Sequence, residues 1–370
     1  MKYYLIAGEA SGDLHGASLM KELKKVDPKA EFRFWGGDLM AAEGGTLVSH
    51  FKDRSYMGFF EILTHLPQVF LNISKCKEDI ADYKPDKVIF IDYAGFNLRI
   101  APFVHKKGIE THFYISPKLW AWNEKRVNKV KACIDRMYTI FPFETEFYQK
   151  HQYEKVLYVG NPLKDYILDF KADPEFKNKH GLDERPVIAL VPGSRNQEIE
   201  RMLPIMLTVC SYFPEYQFVI AGAPNYNEQY YKGYLLDEEV KVVYGDTYEL
   251  LKISQAALVT SGTATLETAL FEVPQVVCYK TGSLNYFLAK RLIKVKYISL
   301  VNLIMDKEVV KELIQDDLNY LQLRAELDKI LHGSKNRKLL LDEYHQLQEV
   351  LGPKGASKRT AIAIYKYKKS

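Results

Sequence analysis

The 370-residue sequence has only four cysteines, which lie far apart and form no C-x-x-C pair. A disulfide framework or a structural zinc site is therefore not expected, and a reducing compartment fits. No stretch approaches the ~20 apolar residues that span a bilayer, and the N-terminus turns polar after Ala7, too early for a signal peptide. The net charge of +4 is small for a nucleic-acid binder. We expect a cytoplasmic protein without a nucleic-acid partner. Any contact it makes with a membrane is expected to be peripheral.

Several enzyme motifs are missing as well. The sequence has no Walker A motif and no G-x-S-x-G elbow. It also lacks G-x-G-x-x-G, which disfavours a nicotinamide dehydrogenase built on similar sheets. There is no D-x-D acid pair to hold a divalent metal on a diphosphate. We therefore expect neither a metal site nor any other cofactor.

Short apolar runs alternate with longer segments of helical periodicity, and this happens twice along the chain. Such alternation is typical of βαβ units around a parallel sheet. The sequence predicts an α/β protein of two Rossmann-like parallel-sheet domains facing a cleft, with domains at 1–160 and 161–354 and a C-terminal helix, 355–368, that joins the first domain. The predicted strands are Tyr3–Ala7, Glu31–Trp35, Lys87–Ile91, Thr111–Ile115, Met137–Ile140, Val187–Val191, Gln217–Ala221, Val240–Tyr244, Ala256–Thr260 and Gln275–Tyr279.

Two loops of the first domain follow predicted strands, where ligands bind in open α/β sheets. In the first loop, Glu9 and Asp13 would repel a pyrophosphate, so a hydroxyl-rich ligand fits better; Ser11 and His15 complete this candidate acceptor side. An ordinary helix start capped by Ser11 or Asp13 is the alternative. In the second loop, Asp92 ends a buried strand, where it can act as a general base or merely cap the next helix.

Two loops of the second domain have the residue types that bind a nucleoside diphosphate. One contains Gly193, Ser194 and Arg195, which combine close backbone approach with a guanidinium fork for phosphate. The other begins a helix with small and hydroxyl-bearing residues, whose N–H groups and dipole favour an anion. Its candidate residues are Ser261, Gly262, Thr263 and Glu267, the last as an acceptor for ribose hydroxyls. Capped helix starts are the alternative for both loops.

The motifs together resemble the lipid-A-disaccharide synthase family. They occur in the order AGEASGDLHGA, MGF, ID…FN, ISPKLWAW, FPFE, VPGSR…EIE, SGTATLE and VNLI, from residue 7 to about 315. The resemblance implies a GT-B fold and an inverting transfer from UDP-2,3-diacylglucosamine to 2,3-diacylglucosamine 1-phosphate (lipid X), with release of UDP. It assigns the base to Asp92, the phosphate-binding arginine to Arg195, and the helix start to Ser261, Gly262 and Thr263. It also assigns Asn302, in VNLI, to the UDP site.

The resemblance further implies membrane-resident substrates and hence peripheral contact with the cytoplasmic face of the inner membrane. The apolar stretch Phe59–Phe70 is the candidate contact, although packing against the sheet explains it equally well. A homodimer is a further possible partner. The alternative functions are a UDP-GlcNAc 2-epimerase, a different lipid glycosyltransferase, and a non-enzymatic nucleotide-binding protein.

Overall fold

The computed structural model describes residues 1–54, 66–235, 240–282, 286, 296–331 and 333–368. The chain forms two compact units. One consists of Met1–Asp165 together with Leu351–Ser370, and the other of Tyr166–Val350. Within the described residues, no helix has both the length and the apolar character needed to cross a membrane.

The first unit is built on a seven-stranded sheet in the order β3-β2-β1-β4-β5-β6-β7. All its strand pairs are parallel. The strands are β1 (Lys2–Ile6), β2 (Glu31–Gly36), β3 (Thr46–His50), β4 (Lys87–Ile91), β5 (Glu110–Tyr114), β6 (Arg136–Thr139) and β7 (Val156–Tyr158). The helices are Ala10–Val26, Asp38–Ala42, Leu66–Tyr83, Ala94–Lys106, Leu119–Trp122, Val127–Cys133, Pro142–Lys150, Pro162–Leu168, which runs past the end of the unit, and Ala356–Lys366.

The second unit has a six-stranded sheet in the order β10-β9-β8-β11-β12-β13, again parallel throughout. The strands are β8 (Val187–Val191), β9 (Gln217–Gly222), β10 (Lys241–Tyr244), β11 (Ser254–Thr260), β12 (Gln275–Tyr279) and β13 (Lys311–Ile314). The helices are Phe176–Lys179, Asn196–Leu207, Glu228–Lys232, Thr247–Ile253, Thr263–Leu270, Leu300–Met305, Tyr320–Ile330 and Lys335–Val350.

The middle strands form the core of each unit. Every residue of β4, β8 and β9 is buried, because helices cover both faces of a parallel sheet. This burial explains why their sequences are nearly continuous apolar runs. The prediction of an α/β protein with two parallel-sheet domains is confirmed, and β4, β8 and β12 have the predicted bounds.

The C-terminal helix Ala356–Lys366 belongs to the first unit. Its first turn is capped from a distance, since the Asp165 carboxylate accepts from Gly355 N and Ala356 N at 2.8 Å each. Beyond the helix, the Tyr367 carbonyl accepts from the ammonium of buried Lys87 at 2.8 Å. Lys87 also pairs with Glu110, so its buried charge is compensated. Partly buried polar contacts therefore tie the start of this segment to the helix Pro162–Leu168 and its end to β4.

Candidate active site

The four candidate loops follow β1, β4, β8 and β11. In both sheets the strand order reverses between the first strand of the unit and the fourth, that is, between β1 and β4 and between β8 and β11. Ligands of open α/β sheets bind at the carboxyl ends of the strands that flank such a switch point. Each unit therefore has one pair of loops at its switch point.

The two loops of the first unit touch at Gly8 and Tyr93. A Cβ atom at Gly8 would lie 2.3–2.5 Å from the Tyr93 ring, so only glycine fits beneath that ring. Tyr93 in turn stacks on Phe96, with ring centroids 5.2 Å apart. This packing fixes the loop that contains Asp92 against the loop that follows β1.

The backbone at Asp92 is held in a sparsely populated conformation. Asp92 and Tyr93 are both left-handed, with φ of 44° and 48°, and each such residue costs on the order of 1–3 kcal/mol. The strain is maintained by two hydrogen bonds: Asp92 N donates to Tyr114 O at 3.1 Å, and Asn97 Nδ2 donates to Asp92 O at 2.7 Å. Strain of this kind concentrates at functional sites, where it fixes the direction of a side chain.

The carboxyl group of Asp92 has a raised pKa. Burial is the main cause, the positive charge of Lys118 opposes it, and the negative charge of Glu9 adds to it. A raised pKa makes the carboxylate a stronger base than an ordinary aspartate. Both charged neighbours come from the candidate motifs, Glu9 from the loop after β1 and Lys118 from ISPKLWAW.

Three of the four candidate acceptor residues can meet a ligand. Glu9 and Ser11 are exposed at the start of the helix Ala10–Val26. His15 lies half-buried on the same helix, and burial lowers its pKa to about 4. His15 is therefore neutral near pH 7 and offers a hydrogen-bonding imidazole, not a cation.

Asp13 has a different position from the one expected. It is buried, and its carboxylate accepts from Gly37 N, Leu39 N and Met40 N at 2.7, 3.0 and 3.1 Å. These donors belong to the first turn of the helix Asp38–Ala42 and to the glycine before it. Asp13 thus caps this neighbouring helix, and its lone pairs are used within the unit instead of facing an acceptor.

Glu144 is a buried acid beside the candidate site whose contacts the sequence did not predict. It belongs to FPFE, is fully buried, and accepts from Ser116 Oγ at 3.0 Å and Trp120 Nε1 at 3.4 Å. Its other oxygen accepts from Ile140 N and Phe141 N at 3.2 Å each. Glu144 therefore joins FPFE to the ISPKLWAW segment, which contains Lys118. The sequence signal was an acid in the first turn of a helix, but its long-range partners were not visible.

We predict that Glu144 makes the stability of the first unit pH-dependent. Burial raises its pKa to about 7, against the lowering effect of its four donors. Because the folded state holds the proton more tightly than the unfolded state, wild-type stability should fall as the pH rises from 4.5 to 7. The expected loss, relative to Glu144→Gln, is about 3 kcal/mol at 1.36 kcal/mol per pKa unit.

Urea unfolding followed by tryptophan fluorescence measures this effect, because all three tryptophans belong to the first unit. The control is Glu146→Gln, on the exposed side of the same helix, which should follow the wild type at each pH. A stability difference between Glu144→Gln and wild type that stays constant from pH 5 to 7.5 would contradict the prediction.

In the second unit, the loop after β8 already contains an anion. Gly193 has φ of 111°, and its missing side chain leaves room for Glu198, which a Cβ would meet at 2.4 Å. The Glu198 carboxylate accepts from Ser194 N at 3.1 Å and Arg195 N at 3.3 Å. These two backbone N–H groups are therefore occupied within the loop. The Arg195 side chain remains 71% exposed, with Nη1 3.5 Å from Glu198, and Ser194 beside it is exposed as well. These two side chains are the groups through which this loop can reach a phosphate.

The loop after β11 is open. Gly262 has φ of 141°, is exposed, and would find nothing within 4 Å of an added Cβ. The helix Thr263–Leu270 starts directly after it without a side-chain cap. Ser261 is fixed by a hydrogen bond from its Oγ to Ile298 O at 2.8 Å. An uncapped helix start beside a glycine suits an anionic ligand that supplies the missing acceptor atoms.

Glu267 lies one turn into that helix and is half-buried. Its Oε1 accepts from Tyr248 OH at 2.9 Å. Burial raises the pKa of Glu267, and the Tyr248 hydrogen bond opposes this effect. Tyr248 orients the carboxylate and leaves its second oxygen for other donors, as the expected role with ribose hydroxyls requires.

Asn302 also differs from the expectation. Its side chain is 0% exposed, and both polar atoms are bonded within the unit. Oδ1 accepts from Val309 N and Val310 N at 2.7 and 2.9 Å, and Nδ2 donates to Val310 O and Glu312 Oε1 at 2.9 Å each. With these four hydrogen bonds made inside the unit, the Asn302 side chain braces the neighbouring backbone and is not turned to the surface.

Comparisons with known structures show the fold of the chain. The UDP-GlcNAc 2-epimerase of Neisseria meningitidis, solved with UDP-GlcNAc, aligns with a TM-score of 0.70 at 14% identity, over 99% of this chain and 100% of that one. The glycotransferase of kitacinnamycin aligns with a TM-score of 0.66 at 12% identity, over 98% of both chains. At these identities the likeness extends to the fold alone, the GT-B architecture predicted from the sequence.

Comparisons of sequence are more specific. A lipid-A-disaccharide synthase of Syntrophus aciditrophicus is 37% identical over 375 residues, covering 99% of this chain and 98% of its own length. Lipid-A-disaccharide synthase 1 of Legionella pneumophila strain Philadelphia 1 is 36% identical over 355 residues, covering 94% and 92%. The model of the lipid-A-disaccharide synthetase family matches residues 3–364. The chain therefore belongs to the lipid-A-disaccharide synthetase family.

Proposed function

We propose that the protein transfers the sugar of UDP-2,3-diacylglucosamine to the 6-hydroxyl of 2,3-diacylglucosamine 1-phosphate. The products are the β(1→6)-linked disaccharide 1-phosphate, a precursor of lipid A, and UDP. Family membership over residues 3–364 supports this reaction. The observation within the chain that carries it is Asp92, a strained and desolvated acid at the carboxyl end of β4.

In the proposed mechanism the acceptor's 6-hydroxyl oxygen attacks the anomeric carbon from the face opposite UDP. A bond forms between that oxygen and the carbon, and the bond from the carbon to the phosphate oxygen breaks. UDP departs with the bonding electron pair, and the hydroxyl proton passes to a carboxylate oxygen of Asp92. Glu9, Ser11 and His15 bind the acceptor's polar groups on the same side of the first unit.

The second unit binds UDP in this proposal. The uncapped helix start at Gly262 and Thr263 and the exposed guanidinium of Arg195 stabilise the negative charge that develops on the leaving diphosphate. Glu267, oriented by Tyr248, accepts from ribose hydroxyls. Asn302 supports these groups indirectly.

Peripheral membrane contact belongs to the same proposal, because both substrates have two acyl chains. Of the predicted patch Phe59–Phe70, residues 59–65 lie outside the described residues. In the helix Leu66–Tyr83, Phe70 is 61% and its neighbour Leu71 62% exposed, an apolar pair that a lipid interface would cover. Self-association as a homodimer stays a prediction, which light scattering would test.

The decisive experiment measures UDP release from UDP-2,3-diacylglucosamine with and without lipid X. The proposal expects release that depends on lipid X, with a disaccharide as the second product. Turnover of UDP-GlcNAc to its 2-epimer without an acceptor would favour the epimerase alternative, whose fold the chain shares. Binding of UDP without any turnover would indicate a nucleotide-binding protein.

A further inference from the structure

Behind the loop after β11 lies a partly buried hydrogen-bond network centred on Glu312. Its carboxylate accepts from Ile298 N at 3.0 Å and from Ser299 N and Asn302 Nδ2 at 2.9 Å each. Asn302 meanwhile holds the turn at Val309 and Val310 through both its polar atoms. Segment 298–300 is thereby tied to the start of β13.

The same segment is tied on its other side to the start of the helix Thr263–Leu270. Ser261 Oγ donates to Ile298 O at 2.8 Å, and Leu300 N donates to Thr265 Oγ1 at 3.2 Å. Thr265 Oγ1 in turn donates to Gly262 O at 2.8 Å. A continuous set of hydrogen bonds thus leads from Glu312 through segment 298–300 to Ser261 and Gly262.

We propose that Glu312 is a positioning residue for nucleotide binding, acting on the Ser261–Gly262 turn through segment 298–300. The inference rests on the proposed function, in which that turn binds the diphosphate. No side-chain packing fixes the conformation of the turn at Gly262, since an added Cβ would find nothing within 4 Å. The hydrogen bond from Ser261 to Ile298 therefore does much to fix the conformation of the turn, and Glu312 in turn holds Ile298 in place.

A carboxylate is required at position 312 because all three of its partners are donors. In Glu312→Gln, whichever way the amide is turned, its NH₂ group faces at least one of Ile298 N, Ser299 N and Asn302 Nδ2. A donor that faces a donor loses a partly buried hydrogen bond and leaves one N–H without its protein acceptor. The expected result is displacement of segment 298–300 and weaker UDP binding.

Calorimetric titration with UDP tests the inference on the full chain. Glu312→Gln should raise the Kd for UDP about tenfold, the order expected from one lost hydrogen bond to a charged group. Glu308→Gln is the matched control, because Glu308 is exposed, lies four residues before Glu312 and pairs with Lys311 at the surface. This variant should bind UDP like the wild type. If Glu312→Gln does not fold, Glu312→Asp tests the same prediction, because its carboxylate is one methylene further from the three donors.

The readout that separates positioning from general stability is a double-mutant cycle with Ser261→Ala. If Glu312 acts through the Ser261–Ile298 hydrogen bond, the two losses in UDP affinity should not add, and the double variant should resemble the more damaged single variant. Additive losses, or wild-type UDP affinity in a folded Glu312 variant, would overturn the inference alone. A wild type that does not bind UDP would overturn the proposed function and the inference with it.

Discussion

Asp92→Asn is expected to lower kcat for disaccharide formation about a thousandfold, within the range of roughly 10²–10⁴ that a general base contributes. The amide has nearly the same shape as the carboxylate, but it cannot take the proton of the acceptor's 6-hydroxyl. The fold should persist, because the hydrogen bonds that hold the Asp92 loop use backbone atoms of that residue. UDP affinity should be unchanged, since the substitution lies in the other unit.

The measurement is acceptor-dependent UDP release for wild type, Asp92→Asn and the control Asp82→Asn. Asp82 is an exposed residue of the helix Leu66–Tyr83 in the same unit, and its substitution should leave turnover intact. Near-normal turnover by folded Asp92→Asn would show that another group takes the proton.

The same base determines the acidic side of the pH profile. Only the carboxylate form of Asp92 accepts a proton, so kcat/KM should fall as the pH falls through the pKa of Asp92, which burial raises. Lys118→Met removes the charge that lowers this pKa and should move the acidic limb to higher pH. Glu9→Gln removes a charge that raises it and should move the limb to lower pH. Shifts in these opposite directions would identify the titrating group as Asp92.

The middle of each sheet could be predicted from the sequence because burial on both faces requires continuous apolar runs, as in β4 and β8. The strands β3, β7 and β13 were missed. β3, β7 and β13 lie at the edges of their sheets, where fewer residues need be apolar. β3 has no buried residue, and β7 is only three residues long. Their sequences therefore differ little from loops.

Within the site, the local sequence indicated which loops follow buried strands, and it identified Asp92, Arg195 and Ser261 as candidate residues. It could not reveal where a polar side chain finds its partners. Asp13 caps a helix 25 residues away in sequence, between Asp38 and Ala42, and Glu144 bonds to Ser116 across 28 residues. Such contacts depend on which strands become neighbours. A buried carboxylate with several N–H donors looks, in sequence alone, the same as an exposed one that awaits a ligand.

The difference between an occupied and an open anion site matters most at the loop after β8. We expect Arg195→Met to lower kcat/KM by about 10²–10³-fold, because it removes one group that stabilises the developing negative charge. Glu198 occupies the N–H groups of Ser194 and Arg195, so the guanidinium is the charged group through which this loop attracts the diphosphate. Arg195→Lys should recover only part of the loss, because an ammonium cannot form the bidentate contact.

Kinetics with UDP-2,3-diacylglucosamine at several salt concentrations tests this role. An exposed cation is screened by salt, so the advantage of wild type over Arg195→Met should shrink as ionic strength rises. Arg324→Met, an exposed arginine stacked on Tyr212 in the same unit, is the control and should behave as wild type. If Arg195→Met stays active while Glu198→Gln loses UDP affinity, the capped turn itself is the nucleotide-binding element. If Arg195→Met fails and Glu198→Gln binds UDP at least as well as wild type, the carboxylate only shapes the turn and the arginine binds the phosphate.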